Sequence, residues 1–244
     1  YEIRLSLVGS EMCIRDSKEQ RGPTCGLYAL SFVLDYLYGL SWPATKDHKE
    51  SDSLREVFKR EKRSTIGELF DSSAEMAKFI NDTLIKAEKC RAEVCSVEAI
   101  QKALASGGLC MVPFCVDAGG NTENSGIHAH WCVVQAIPDQ TNPDEATVLH
   151  WGDKVRKFSL SALKNSNNAI KDVEEQYWGK IPADSYTFSI PIDGVTYVQC
   201  STAADTSCKR GHLLQFPIKP GSVKLIPATR LSQKLAGKML VFAK

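Results

Sequence analysis

A cysteine, a glutamine and a histidine carry the chemistry this sequence can offer. Cys25 follows Gly22, Pro23 and Thr24 and precedes Gly26, at the start of an apolar stretch with helical spacing. A thiol there faces the unpaired amides and the positive end of the helix dipole, which favour the thiolate and lower its pKa. Gln20 lies five residues upstream, where its side-chain amide could join the Cys25 backbone N–H in holding an oxyanion. His130 opens the segment HWCVVQAI after the Gly- and Asn-rich stretch from Gly119 to Gly126. A histidine at a strand's mouth is held on a rigid element yet stays reachable, as a general base must be. Helix-start thiol plus remote histidine is the pattern of a thiol hydrolase. Other readings stay open. Cys25 could be a small buried hydrophobe without chemistry. Strand alternation also puts His128, His130 and Cys132 on one face, a His-x-His metal pattern with no adjoining carboxylate to complete it. Cys90/Cys95 and Cys110/Cys115 share a spacing of five. The second pair falls in a strand, where an odd separation sends its thiols to opposite faces, and zinc prefers shorter spacings.

The elements that must position these groups follow from periodicity. In TCGLYALSFVLDYLYG, Leu27, Leu30, Leu34 and Leu37 recur at three- and four-residue steps, predicting a buried helix capped by Thr24 and ended by Gly39. Residues 41–53 read as a loop, 54–63 as a charged helix and 72–88 as a helix with Met76, Phe79, Ile80 and Leu84 in step. Ser96 to Ala105 reads as a short serine-capped helix before the Gly107-Gly108 break. Beyond residue 108 the pattern changes to strands: Leu109–Val116, Trp131–Ile137, Thr147–Trp151, Val223–Ile226 and Met239–Phe242, with Asp193-Gly194 as a hairpin turn. Helices first and strands second predict an α+β domain with helices on one side of an antiparallel sheet.

Composition bounds the function. The 244 residues are 43% hydrophobic and 24% charged, as in an ordinary globular chain. Net charge is +1, which excludes an overall field drawing the protein to nucleic acid or an anionic membrane. The longest apolar run, Leu109 to Val116, is far short of the roughly 20 residues of a spanning helix. Nine scattered cysteines in a chain this long read as reduced thiols, so a soluble cytoplasmic protein is expected, with no cofactor. Residues 1–17, YEIRLSLVGSEMCIRDS, resemble the conceptual translation of a sequencing adapter and are set aside from fold reasoning. A single domain is expected over 18–244, helical to about 106 and β-rich from 107.

The segments QRGPTCGLYAL and AHWCVVQAI together resemble the papain-like cysteine peptidases, in which a Gln, a helix-start Cys and a strand-start His recur in that order. Within that group the chain is most similar to the actin maturation proteases, which remove the acetylated first residue of actin. TIGELF at 65–70, GGLCMVPF at 107–114, FSLSALKNSN at 158–167 and VKLIPATRLSQKLAGKMLVFA at the end extend the likeness. The resemblance implies a papain-like fold, Cys25 as nucleophile, His130 as base and Gln20 as oxyanion donor. It also implies an orienting group on the strand after that of His130, where His150 is favoured over Asp153. Asp139 is a third option, and a dyad without it a fourth. Gly22 and Trp131 are expected beside the substrate. The proline-rich extension thought to engage profilin-bound actin in animal relatives has no counterpart before Gln20, whereas the hairpin at 186–200 and the loop Cys200–Gly211 look like insertions.

The partner the resemblance implies is the actin N terminus, Met or Cys followed by acidic residues, with profilin-actin as one form in which it could arrive. Arg55, Lys59, Arg60, Lys62 and Arg63 cluster on the second helical region, and Arg60 and Arg63 are expected to steer that acidic segment. A solvated face with Glu56 and Glu61 cancelling part of the charge is the plainer reading. A papain-like enzyme of other specificity, such as one cutting after paired glycines, and a catalytically silent peptide-binding relative are the alternatives.

Overall fold

The structure is a computed structural model and describes residues 25–45, 52–61, 69, 71–86, 91–126, 129–136, 142–150, 154–171, 186–192, 195–200, 217–218 and 231–243. Helix α1 (Cys25–Tyr38) forms where the leucine stripe predicts it, and Leu27, Leu30, Leu34 and Leu37 are all buried. It stops at Gly39, whose φ of +67° is the left-handed value glycine adopts without a Cβ penalty. The Gly39 N–H then reaches the Asp35 carbonyl and the Leu40 N–H the Leu34 carbonyl, satisfying the helix's last acceptors. Helix α2 (Leu54–Arg60) buries Leu54, Val57 and Phe58. Helix α3 (Ala74–Phe79) is capped by Ser73, whose hydroxyl accepts the Met76 N–H at 3.3 Å, and runs on into a wider π-helical segment, Ile80–Ile85.

Six strands make the main sheet, every neighbouring pair antiparallel. They are β1 (Arg91–Ser96), β2 (Leu109–Cys115), β3 (Ala129–Ala136), β4 (Glu145–His150), β5 (Lys154–Ser159) and β9 (Lys238–Ala243), ordered β1-β9-β2-β3-β4-β5. A second, three-stranded sheet contains β6 (Tyr186–Ile192), β7 (Val195–Cys200) and β8 (Pro217–Ile218). Ile192 pairs with Val195 in it, so β6 and β7 are antiparallel neighbours where a hairpin is expected, and Asp193-Gly194 themselves lie outside the described residues. Between β1 and β2, a 3₁₀ turn at Val97–Ala99 leads into α4 (Ile100–Ala105), with the Ser96 hydroxyl accepting the Glu98 N–H as its cap. Val223–Ile226 lies outside the described residues.

The expected one-sided layering is corrected. Met111, Trp131, Val133, Leu240 and Phe242 face a core shared with α1, α2 and α3. Cys110, Val112, Phe114, Cys132, Val134 and Val148 face a second core shared with α5 (Leu160–Asn168) and Ile100 of α4. Both faces of the sheet are covered, which is why every residue of β2 is buried. Nor are helices and strands segregated at residue 106. β1 lies before it, while α5 and α6 (Leu231–Leu235) come after. Cys110 and Cys115 do fall on opposite faces, one in each core.

Strand β9 accompanies β2 only along Leu109–Met111, so the remaining edge of β2 needs other partners. Helix α5 supplies them from two buried polar residues. The Ser166 hydroxyl accepts the Cys115 N–H and donates to the Cys115 carbonyl, both at 2.8 Å. The Asn167 amide donates to the carbonyls of Pro113 at 2.6 Å, Lys238 at 3.1 Å and Leu235 at 3.3 Å, plugging the fork where β9 diverges from β2. Pro113 suits that edge because it has no N–H to satisfy. Asn167→Ala leaves these buried acceptors without their donor, and is expected to lower the denaturation midpoint by about 1–3 kcal/mol of stability with the m-value unchanged.

Candidate functional site

Cys25 is the first residue of α1, half-buried, and packs against the core that contains Trp131 and Leu69. The next residue fixes how α1 meets the sheet. A Cβ built on Gly26 would lie 2.6 Å from Leu69 Cβ and 2.9 Å from Trp131 Cδ1, closer than real carbons approach. The first turn of α1 therefore rests directly on the Trp131 indole, whose Nε1–H donates to the Leu69 carbonyl at 2.7 Å. Trp131 is only 3% exposed, so the residue expected beside the substrate is a core residue here. Its chain neighbour is His130. The helix start bearing Cys25 is thus docked at the end of β3 where the histidine sits. The Cys25 thiol is also near enough to Cys132 to contribute, after burial and Cys110, to raising that thiol's pKa.

His130 leaves β3 on the face opposite α1, alongside Phe114, its direct partner across β2. Four rings meet there. The His130 and His150 ring centroids are 5.4 Å apart in an edge-to-face contact, and Phe114 lies 5.6 Å from the first and 5.7 Å from the second. Phe158 closes the group, 5.6 Å from His150 and 5.7 Å from Phe114. Of the three groups considered for orienting His130, His150 stands beside it at the end of β4, and both histidines are buried. Burial, and secondarily the repulsion of a charge on His150, push the His130 imidazole down to about 3, so it is neutral at physiological pH. Phe114 and Phe158, which wall this site, stood in the segments GGLCMVPF and FSLSALKNSN picked out as family likenesses, without a role assigned to them.

Gln20, Gly22, Arg63, Asp139, Asp153 and His128 lie outside the described residues. Arg60 ends α2, where its guanidinium meets both Asp52 oxygens at 3.1 Å and Glu61 at 3.4 Å. These two carboxylates hold its pKa above the usual value, the Asp52 hydrogen bond most of all, and they occupy the charge expected to steer an acidic segment. Among the described residues no His, Cys, Asp and Glu cluster forms a metal site, and no helix is long and apolar enough to cross a membrane.

Residues 15–137, just over half of the chain, match the model of a family described as actin maturation protease-like, C-terminal domain. Comparisons with curated proteins and with solved structures give no match. Gln20, Cys25 and His130 fall inside the matched stretch, while His150 and the similarities at 158–167 and 223–243 fall beyond it.

A histidine whose folded pKa is depressed binds fewer protons than in the unfolded chain between the two pKa values. Its contribution to stability is complete above the unfolded value of roughly 6.5 and is lost as pH falls toward 3. Stability is expected to drop by up to about 1.4 kcal/mol per pH unit in that window on account of His130. Urea unfolding of the protein and its His130→Gln variant at pH 5 and 7.5 measures this, and the variant should lose less on acidification.

Proposed function

Because this chain belongs to the actin maturation protease-like family, we propose that it is a papain-like cysteine peptidase that removes the acetylated first residue, Met or Cys, from actin in the cytoplasm. The observation that carries this reading is the docking of the Cys25 helix start on β3, one residue from His130, within the stretch that matches the family. Cys25 is the nucleophile, activated by the helix start, and His130 takes its proton. The thiolate attacks the carbonyl carbon of the acetylated first residue, and the Cys25 N–H and Gln20 hold the resulting oxyanion, each donor worth on the order of 3–4 kcal/mol. His130 returns the proton to the departing amine as the C–N bond breaks, leaving a thioester on Cys25. Water, deprotonated by the same imidazole, hydrolyses that thioester. His150 orients His130 from the neighbouring strand, taking the place a carboxamide or carboxylate holds in related triads. Arg63 and Gly22 are proposed to lie along the substrate path, and profilin-actin is proposed as the form in which the substrate arrives.

One observation favours a second reading, a peptide-binding relative without turnover: His130 is buried and held neutral among aromatic rings, away from solvent. Mass spectrometry of an acetyl-Met-Asp-Asp actin peptide incubated with the protein or with Cys25→Ala decides between them. The peptidase reading expects loss of acetyl-methionine with the intact protein alone, with Cys25→Ala reducing turnover at least about 10³-fold while leaving the fold intact. Cleavage by Cys25→Ala, or Cys25 alkylation by iodoacetamide no faster than that of an ordinary thiol, would sink it.

A further inference from the structure

We propose that Gly26 and Trp131 are positioning residues that set the spacing between the Cys25 thiol and His130. This rests on the reading of those two as the reacting pair. Cys25 is joined by one peptide bond to Gly26, and His130 by one to Trp131. Gly26 and Trp131 touch, with no room between them for even a methyl group. The two reacting residues are therefore coupled through this steric contact, and a shift of the indole alters the distance between them. The indole is fixed in turn by its hydrogen bond to the Leu69 carbonyl. Across the sheet Trp131 pairs with Pro113, whose carbonyl is held by Asn167, so the support extends to α5 on the far face. A fully packed indole cannot be the wall of an open substrate pocket, and that difference is measurable.

Trp131→Phe keeps a flat apolar ring but removes the donor to Leu69 and part of the surface under Gly26. Gly26→Ala adds the carbon that cannot fit, and Trp131→Phe is the variant that decides if this one does not fold. The readouts are kcat and KM on the acetyl-Met-Asp-Asp peptide, the rate of Cys25 alkylation by iodoacetamide across pH, and thermal unfolding. For Trp131→Phe, kcat is expected to fall about 10–100-fold, as for a misplacement of about 1 Å, with KM within about twofold. Cys25 alkylation at pH 7 should slow in parallel. A raised KM at unchanged kcat would overturn the proposal by making Trp131 a substrate contact. A lower melting temperature with kcat per folded molecule and the alkylation profile unchanged would overturn it by making the contact packing alone. If the unsubstituted protein itself shows neither Cys25-dependent cleavage nor fast alkylation, the peptidase reading falls and this proposal with it, a result seen before any variant is made.

Discussion

The contact between the bare Cα of Gly26 and the face of Trp131 sets where α1 lies on the sheet, and much else follows from it. A glycine inside a helix costs about 1 kcal/mol relative to alanine. Here the loss is tolerated because any side chain would lift the helix off Leu69 and the indole. With the first turn that close, the leucine stripe of α1 meets Met111, Val133 and Phe242 along the sheet. The helix start is then held against the end of β3 by close packing. Interiors packed to crystal-like density resist small displacements, so a side chain anchored in this way keeps its place.

On the other face the constraint is electrostatic. Two imidazoles stand 5.4 Å apart among phenylalanine rings, and burial together with the repulsion of a charge on His150 keeps His130 from charging readily. A base whose pKa lies near 3 is a weak proton acceptor at neutral pH. In the peptidase reading proposed above, the attraction between a Cys25 thiolate and the new imidazolium would have to offset the cost of burial. The packing on one side of the sheet and the titration on the other are coupled through β3, whose alternate residues serve both.

The leucine stripe, the antiparallel pair β6 and β7 and the apolar strands β2 and β3 were legible in the sequence because each is a local pattern. β1 and β5 were not. RAEVCS and KVRKFS carry charges, as edge strands do, and their pairing is fixed only by β9 and β4. The insertion of β9 between β1 and β2 is a long-range event without a local signature. The same limit applies to the layering, since a buried strand reads alike whether helices cover one face or both. At the site, residue order and type brought out Cys25 and His130. What Trp131 does depends on which neighbour it meets, and a tryptophan beside a histidine at a strand's start reads equally well as a substrate contact. Ser166 and Asn167 stood in a segment picked out as a family likeness, but their task, completing the free edge of β2, becomes visible only where β9 departs.

In the peptidase reading proposed above, recognition of an acidic N terminus has to be built at short range. The whole chain carries a net charge of +1, and Arg60 meets Asp52 in a two-pronged pair that leaves little outward field. Lys78 with Asp82 and Lys157 with Glu145 are paired on the surface in the same way. Exposed charges separated by more than about 8 Å are largely screened at physiological ionic strength. Discrimination between an acidic peptide and a neutral one must therefore arise from groups within contact distance of Cys25. The positive end of α1 is one such group, and in the proposed reaction it would face the attacked carbonyl as that gathers negative charge. On that reading the feature proposed to activate the thiol would also favour the anionic intermediate, so that selection of substrate and stabilisation of the transition state would draw on the same few ångströms of backbone.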